Sequence, residues 1–206
     1  MSSRPISADA RPNQPSPRQR DIRDAALTLF AEFGYHGTSM EDIAERLGIR
    51  APSLYGHVES KQALLRDIML GTLAALTADH RAAVASSTDV AEQLRRATEA
   101  HVRFHARHQR EVRIGMTESA SLEEPQRTEL RVMQHAYWAA FRDLVERGVA
   151  EGRFETPSAH LAGHAIIEMG MGIALWFRED GPLSESQIAY YYSDLALRLV
   201  GATTNA

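Results

Sequence analysis

Apolar side chains recur at helical spacing along almost the whole chain beyond Arg18, and this pattern constrains the fold more than any other feature. In the first periodic segment, residues 18–33, the apolar side chains fall on one stripe that comprises Ile22, Ala25, Ala26, Leu29, Phe30 and Phe33. Similar stripes continue toward the C-terminus, and no stretch alternates between apolar and polar residues as a half-buried strand does. The sequence therefore predicts an all-α fold.

The N-terminal segment has a different composition from the rest of the chain. Residues 1–17 are rich in Pro, Ser and Arg and contain few large apolar side chains. Such a segment cannot bury enough apolar surface to offset the entropy lost on ordering, so we predict a disordered, arginine- and proline-containing arm. An arm of this kind can reach into the minor groove of DNA, and it can equally be a plain tail.

Two short helices separated by a glycine turn follow the first helix. The first of the pair runs from Met40 to Leu47, Gly48 ends it, and Pro52 suits the first turn of the second. This is the pattern of a helix-turn-helix, whose second helix presents its N-terminal residues to base edges in the major groove. The predicted DNA-facing groups of that helix are Arg50, Ala51, Pro52, Ser53, Tyr55, Gly56 and His57. Tyr55 and His57 could also donate to phosphate oxygens, and the predicted DNA-binding surface around the motif is completed by Thr38, Ser39 and Lys61.

The spacing of these residues resembles the TetR family of bacterial repressors. The resemblance covers about residues 18–66 and is carried at fixed offsets by Gly37-Thr38-Ser39, Ile43-Ala44, Leu47-Gly48-Ile49, Leu54-Tyr55, His57-Val58, Ser60-Lys61 and Leu64-Leu65. The family pattern differs at two positions, with Ser in place of Arg50 and Gly in place of Pro52. Arg50 has a longer reach than serine, either to guanine or to a phosphate.

The resemblance implies a dimeric molecule of two parts. Residues 18–66 would form an N-terminal three-helix helix-turn-helix domain that binds a double-stranded DNA operator. Residues 67–206 would form a C-terminal helical domain for ligand binding and dimerisation, with the homodimer formed through the last two helices. The boundary falls within the fourth helix, which begins after Ser60 and would couple the two parts mechanically.

Large apolar and aromatic side chains of the C-terminal part are candidates for lining a ligand pocket. Methionine and aromatic groups suit such a pocket because they adapt and stack. The predicted pocket residues are Phe104, Met116, Met133, Tyr137, Trp138, Phe141, Met169 and Trp176. Each of them could also be ordinary core, so the pocket is predicted from the group and not from any single residue. The corresponding effector is a small, largely apolar molecule.

Two sets of histidines have spacings that suit metal ligands. His101, His105 and His108 would share one helical face, as would His160 and His164, but no carboxylate is spaced to complete either site. We therefore predict neither a metal ion nor a cofactor. Arginines interleaved with the first set indicate a solvated basic face or a landing site for an anionic group, such as the head group of an acyl-coenzyme A: Arg103, Arg107, Arg110 and Arg113.

Small and apolar side chains near the C-terminus predict the dimer surface. On the penultimate helix these are Ala162, Gly163, Ala165, Ile166, Gly170 and Gly172. On the last helix they are Ile188, Tyr191, Tyr192, Leu195, Leu197 and Leu199. Two such helices from each subunit would form a four-helix bundle between subunits.

Two other functions compete with this interpretation, an enzyme and a helical adaptor. An enzyme is improbable because the chain lacks a phosphate-binding glycine loop, a nucleophile elbow and paired catalytic acids, and it has no cysteine. A helical adaptor that binds only protein is the alternative, but it would not need the phosphate-contacting set around Tyr55. The net charge of −4 makes DNA affinity depend on placed contacts and not on bulk charge. No apolar run is long enough to span a membrane, and a cytoplasmic location is expected.

Overall fold

The structure, a computed structural model, describes residues 16–202 as α-helices with one short 3₁₀ turn. No strand occurs in this range, so the prediction of an all-α fold is confirmed. The predicted arm falls almost entirely on residues 1–15, which lie outside the described residues. The helices are α1 Pro17–Phe33, α2 Met40–Arg46, α3 Ala51–Leu54, α4 Lys61–Ala85, α5 Val90–Arg107, α6 Gln109–Thr117, α7 Gln126–Ala150, α8 Ala159–Met171, α9 Ile173–Trp176 and α10 Glu185–Leu199, with the 3₁₀ turn at Ser119–Ser121.

Helices α1 to α3 and the first half of α4 surround one apolar core. Its fully buried side chains come from every one of these helices and include Ile22, Phe30, Ile43, Leu54, Leu65 and Ile68. Gly48 ends α2 with a positive φ of 65°, a conformation that glycine adopts without steric cost. The chain can therefore reverse between α2 and α3 within a few residues, which makes the helix-turn-helix compact.

Helix α5 is the centre of the C-terminal part. It packs against α4, α7, α8 and α10, and its apolar face contributes Leu94, Ala97 and Phe104 to the core. From the facing helices come Phe141, Val145, Ile166 and Ala196. This arrangement surrounds α5 with partners, which explains why its histidines His101 and His105 are buried.

The two parts share apolar contacts and are not separated by a polar boundary. The apolar cluster that forms the core of α1 to α4 also contains three buried residues from further along the chain: Ile114 of α6, Leu122 of the loop before α7, and Leu130 of α7. Hydrogen bonds reinforce this contact, since Gln62 donates through Nε2 to the Ser121 carbonyl at 2.7 Å. A displacement of α6 would therefore disturb the N-terminal core directly.

The helical periodicity of the sequence also predicts one long helix from Ser121 to about Gly152 and another from Pro157 to about Arg178, and the boundaries of both differ in the structure. The long helix predicted from Ser121 begins at Gln126, and residues 119–121 form a 3₁₀ turn instead. Proline disfavours helical backbone at the residue before it, so Glu124 cannot continue into α7 through Pro125. The helix predicted between Pro157 and Arg178 is interrupted at Gly172, which separates α8 from α9. Glycine has the weakest helix propensity after proline, and this is where the helix breaks.

Candidate nucleic-acid interface and ligand cavity

The exposed face of α3 and its flanks is the candidate DNA-reading surface. Leu54 and Ile43 are fully buried and fix α3 against α2. The amide of Ile49 donates to the Ala44 carbonyl at 3.0 Å and closes the turn between the two helices. This anchoring leaves the other side of α3 in solvent, with exposed positions Arg50, Pro52, Ser53, Tyr55, Gly56 and His57 and a half-buried Ala51.

Tyr55 is the most unusual group on this surface. Its side chain is 55% exposed although tyrosine normally buries most of its ring in a folded chain. The end of α3 is held to α1, because Gln19 donates through Nε2 to the carbonyl of His57 at 3.2 Å. The surface therefore offers an aromatic ring, a hydroxyl and a guanidinium on a short helix with a fixed position.

The sequence pattern places Thr38 and Lys61 on the DNA-binding surface, but in the structure Thr38 is buried and Lys61 is half-buried. Thr38 is buried and its hydroxyl donates to the Gly34 carbonyl at 3.0 Å. The Lys61 ammonium donates to the carbonyls of Tyr35 at 2.9 Å and Thr38 at 2.7 Å, and it lies 4.3 Å from the centre of the Tyr35 ring. The loop before α2 has carbonyls to satisfy, and these two residues satisfy them. Both side chains therefore brace this loop. The Lys61 ammonium keeps one N–H for a phosphate, so its contact with DNA stays a prediction, whereas the buried Thr38 hydroxyl already donates its proton within the loop.

Ser39 has a local structural role as well as a position beside the reading surface. Its Oγ accepts from the amide of Asp42 at 3.1 Å and donates to Asp42 Oδ2 at 2.8 Å. The Asp42 carboxylate also accepts from the Ser39 amide at 2.7 Å, which completes a capping box at the start of α2. These hydrogen bonds lower the pKa of Asp42, with the Ser39 amide as the main cause.

A cavity of about 390 Å³ lies between α4, α5, α6, α7 and α8. Its size is within the range of small-molecule sites, and most of its wall is apolar. The lining residues are Met69, Thr72, Leu73, Leu76, His101, Phe104, His105, Glu111, Val112, Gly115, Met116, Leu130, Gln134, Tyr137, Trp138, Ile167 and Met171.

The cavity contains only part of the predicted pocket set. Phe104, Met116, Tyr137 and Trp138 line it. The remaining predicted residues lie elsewhere and are corrected here: Met133, Phe141, Met169 and Trp176. Phe141 is fully buried in the core, whereas Trp176 is half exposed on α9. Met133 is half-buried on α7, and Met169 packs against the C-terminal core.

His101 and His105 line the cavity and were not among the predicted pocket residues. His101 Nδ1 lies 2.7 Å from the Tyr137 hydroxyl, and its Nε2 lies 3.0 Å from the Ile167 carbonyl. His105 Nδ1 lies 2.8 Å from the His101 carbonyl. Burial lowers the pKa of both imidazoles, well below the ordinary value for His101 and to about 4 for His105. Both rings are therefore neutral at pH 7, and their spacing of four residues was the signal in the sequence.

The basic face predicted from the interleaved arginines has a different structure. Arg103 and Arg107 lie on the side of α5 away from the cavity, and both bind Glu185 at the start of α10, at 3.2 Å and 2.7 Å. Arg110 reaches α1, where it donates to the Thr28 hydroxyl at 2.8 Å. Side chains three and four apart share a helical face, so the histidines face inward and Arg103 and Arg107 face outward. Arg107 is exposed, as the expectation of a solvated face predicts, whereas Arg103 is half-buried, and the shared ion pair with Glu185 leaves neither arginine as an unpaired landing site for anions.

The remaining histidines do not form a metal site. Residues 16–202 contain no group of three or more His, Cys, Asp or Glu side chains arranged to hold a metal ion. His160 and His164 lie with ring centres 6.5 Å apart, and His164 lies 3.9 Å from Glu168. In a separate finding, no described helix combines the length and the apolarity that a bilayer crossing requires.

Helices α8, α9 and α10 each expose large apolar side chains. Leu161, Trp176, Tyr191, Leu195 and Leu199 are each between 44% and 66% exposed. Part of the predicted dimer set is instead used within the chain: a Cβ on Gly163 would meet the backbone of Arg142 in α7 at 3.0 Å.

Ile188 is also buried inside the chain, and a Cβ on Gly170 would lie 2.1 Å from Cδ2 of His101. The small residues of α8 therefore allow close packing inside the subunit. The exposed apolar side chains on α8, α9 and α10 are the ones left for contact with a second copy.

Comparison with known proteins agrees with this architecture. Residues 22–68 match the family described as bacterial regulatory proteins, tetR family, and residues 87–200 match the tetracyclin repressor-like C-terminal domain. The chain is 30% identical over 185 residues to the HTH-type transcriptional repressor KstR2 of Rhodococcus jostii, covering 88% of this chain and 90% of that protein. The structure of ketosteroid transcriptional regulator KstR2 of Mycobacterium tuberculosis superposes with a TM-score of 0.84 at 27% identity, over 93% and 98% of the two chains.

A further solved structure has the same fold. AibR, in complex with isovaleryl coenzyme A and operator DNA, superposes with a TM-score of 0.78 at 24% identity, covering 90% of this chain and all of that one. At this identity the likeness establishes the fold.

Proposed function

Because this chain belongs to the TetR family of DNA-binding transcriptional regulators, we propose that it is a homodimeric repressor that a small, largely apolar effector releases from its operator. The single observation that carries the release mechanism is the position of α6. Val112, Gly115 and Met116 on one side of α6 line the cavity. On the other side Ile114 is buried in the core of the DNA-reading part.

The reading surface supports recognition of a palindromic operator. One α3 helix of a few residues contacts few bases, so affinity requires a second copy. In a dimer, the two α3 helices must enter successive major grooves on one side of the duplex, about 34 Å apart. Arg50 and Tyr55 are the exposed groups best suited to a base edge and a phosphate.

The exposed apolar region on α8, α9 and α10 supports dimerisation through the C-terminal helices. Leu161 on α8 and Tyr191, Leu195 and Leu199 on α10 would be covered by the partner subunit. Apolar area of this kind on an otherwise polar surface is typical of a protein–protein contact. The dimer then holds the two reading parts at a separation that α4 and α6 determine.

Release follows if the effector prefers a conformation in which that separation is wrong for DNA. A ligand can shift the equilibrium only by the difference between its affinities for the two conformations. An effector that fills the cavity pushes on α6 at Val112 and Met116. Movement of α6 would reach the reading part through Ile114 and through Glu118, whose Oε1 accepts from the Tyr35 amide at 3.2 Å.

An acyl-coenzyme A is the first effector class to test. The related fold of AibR is described with isovaleryl coenzyme A and operator DNA together. In this chain the cavity would take the acyl part, and Glu111 in its wall would oppose a free carboxylate but not a thioester. The alternative of a helical adaptor that binds only protein predicts no DNA affinity and no response to such compounds.

The experiment is fluorescence anisotropy of labelled DNA that flanks the coding region of the chain, with and without short-chain acyl-coenzyme A compounds. We expect nanomolar-range binding that weakens with rising salt and is lost on addition of an active effector. Tyr55→Phe should weaken DNA binding, whereas Tyr190→Phe, a matched change at an exposed tyrosine of α10, should not. Absence of any specific DNA affinity in the dimer would contradict the proposal.

A further inference from the structure

The cavity wall offers more free hydrogen-bond acceptors than donors to a ligand. Seven side chains with hydrogen-bonding atoms contribute to the lining, namely Thr72, His101, His105, Glu111, Gln134, Tyr137 and Trp138. Most of their N–H and O–H groups are already used inside the protein, as the contacts of each one establish. The lone pairs that remain determine which groups a ligand must offer.

The protonated nitrogen of His101 can be assigned from its partners. A backbone carbonyl can only accept, so Nε2, 3.0 Å from the Ile167 carbonyl, carries the proton. In the neutral ring Nδ1 is then an acceptor, and the Tyr137 hydroxyl must donate to it across 2.7 Å. Tyr137 therefore has no proton left for a ligand, and only the lone pairs of its oxygen remain.

His105 is fixed in the opposite tautomer. Its Nδ1 lies 2.8 Å from the His101 carbonyl and must therefore carry the proton. Nε2 is the acceptor, and no described residue donates to it. Unlike Nε2 of His80, this atom is not sealed in the interior without a partner, which is consistent with its position at the cavity wall.

The other polar groups follow the same trend, with two exceptions. The Thr72 hydroxyl donates to the Ile68 carbonyl, so its oxygen can only accept from a ligand. Glu111 offers carboxylate oxygens and no proton. Among the lining side chains, only the amide of Gln134 and the indole Nε1–H of Trp138 bring N–H groups that are not bound to another described residue.

We infer that the cavity selects effectors whose buried part bears a hydroxyl group on an apolar skeleton, in preference to a ketone or a free carboxylate of the same skeleton. This rests on the proposed function, because it specifies the chemistry of the effector for that cavity. A hydroxyl donates to His105 Nε2. A ketone or carboxylate can bond only to the two donors, Gln134 and Trp138, and cannot bond to the acceptor atoms of Thr72, His105, Glu111 and Tyr137.

The preference can be measured with three probes of equal chain length: decyl alcohol, octyl methyl ketone and decanoate. Trp138 lines the cavity and Trp176 does not, so Trp176→Phe leaves one tryptophan whose emission reports binding. We expect the alcohol to bind about tenfold more tightly than the ketone, the effect of one well-made hydrogen bond, and decanoate to bind most weakly.

Two variants should move the ratio of alcohol to ketone affinity in opposite directions. His105→Phe keeps a ring in place but removes the acceptor, so the ratio should fall to about one, since the single hydrogen bond that sets it is lost. Gln134→Leu removes one of the two donors and should raise the ratio, because the ketone can bond only to donors whereas the alcohol keeps its hydrogen bond to His105. His57→Phe, at an exposed histidine of the N-terminal part outside the lining, is the matched control and should leave the ratio unchanged.

The outcomes separate this inference from the proposed function. If the ketone binds as tightly as the alcohol, or if Gln134→Leu lowers the ratio, the donor preference is wrong while ligand binding by the cavity stands. Should His105→Phe fail to fold, the ratio in Gln134→Leu alone still decides the matter. If none of the three compounds changes Trp138 emission, and native mass spectrometry finds none bound, both the preference and the ligand-binding proposal are contradicted.

Discussion

The DNA-reading surface and the ligand cavity are built in contrasting ways. Groups on the reading surface are exposed and held by short local contacts, such as the capping box of Ser39 and Asp42 and the turn at Gly48. The cavity is lined by side chains of five helices, and several of its polar groups, including His101 and Tyr137, are almost fully buried. A reading residue can therefore change without affecting the fold, whereas groups around the cavity also stabilise the C-terminal core.

The largest expected effect is on the free energy of unfolding, when a core side chain beside the cavity histidines is removed. Phe141 is fully buried, with its ring centre 5.7 Å from that of His101. Phe141→Ala should lower the free energy of unfolding by about 3–5 kcal/mol, measured by urea denaturation. Operator affinity per folded molecule should be unchanged.

Phe33→Ala in α1 is the matched control for that change. Its ring is 59% exposed, so the same deletion should cost less than about 1 kcal/mol. Equal losses in the two variants would mean that the core around Phe141 is not packed as described.

The next largest expected effect is a loss of stability at acid pH, which arises from buried histidines around the C-terminal core. Burial lowers the pKa of His80 to about 4, with a further contribution from Arg81, and no partner satisfies its Nε2. Because the folded-state pKa lies below the ordinary value of about 6.5, the unfolded chain binds the proton more readily. Stability is therefore complete above pH 6.5 and is lost as the pH falls toward 4. His80 should contribute about 2 kcal/mol of this loss at pH 5.

His80→Leu should reduce the loss of unfolding free energy between pH 7 and pH 5 by about that amount. The remaining slope should come largely from His101 and His105, because burial also lowers the pKa of both, well below the ordinary value for His101 and to about 4 for His105. His135→Leu replaces an exposed histidine and should leave the slope as it is. A slope in His80→Leu equal to that of the unchanged chain would contradict the assignment.

On the reading surface the expected effect is on DNA affinity and not on stability. Arg50 is exposed at the start of α3 and makes no capping contact there. Arg50→Ala should weaken operator binding about tenfold, in the range for one specific contact, and change stability by less than about 0.5 kcal/mol. The matched control is Arg96→Ala, because Arg96 is bound to Glu92 and Ser86 near the far end of α4.

The salt dependence of binding shows which contact Arg50 makes. If it binds a phosphate, Arg50→Ala should reduce the slope of affinity against salt by about one per subunit, hence about two for the dimer, and affect all sequences equally. If it binds a guanine, the variant should instead relax specificity at one operator position. An unaltered affinity for DNA would show that Arg50 does not contact the operator.

The same contrast explains how much could be predicted from the sequence. The helix-turn-helix depends on residues close in the chain, so the spacing from Gly37 to Leu65 was enough to predict its position and its exposed face. The cavity depends on which sides of α4 to α8 meet, and apolar periodicity does not distinguish a lining residue from a core residue. Phe104 and Phe141 illustrate this, since both are buried but only Phe104 lines the cavity.

Thr38 and Lys61 show a second limit of the sequence pattern. Their positions in the motif were predicted, but the carbonyls of Tyr35 and Thr38 that bind the Lys61 ammonium become close only in the folded chain. A spacing pattern records that a residue type is required at a position. It does not record whether the requirement comes from DNA or from the loop itself.

Ser39 caps α2 and also lies beside the reading surface. The smallest expected effect tests whether a contact with DNA or the cap alone explains why serine is present at this position. Ser39→Ala removes the cap of α2 and should cost about 1 kcal/mol of stability. Ser39→Asp keeps a capping oxygen, so its stability should stay closer to that of the unchanged chain, but it places a negative charge beside the duplex. If Ser39 contacts a phosphate, the Asp variant should lose more DNA affinity than the Ala variant although it is the more stable of the two. If its only role is the cap, DNA affinity should instead follow stability, and the Ala variant should bind less well than the Asp variant.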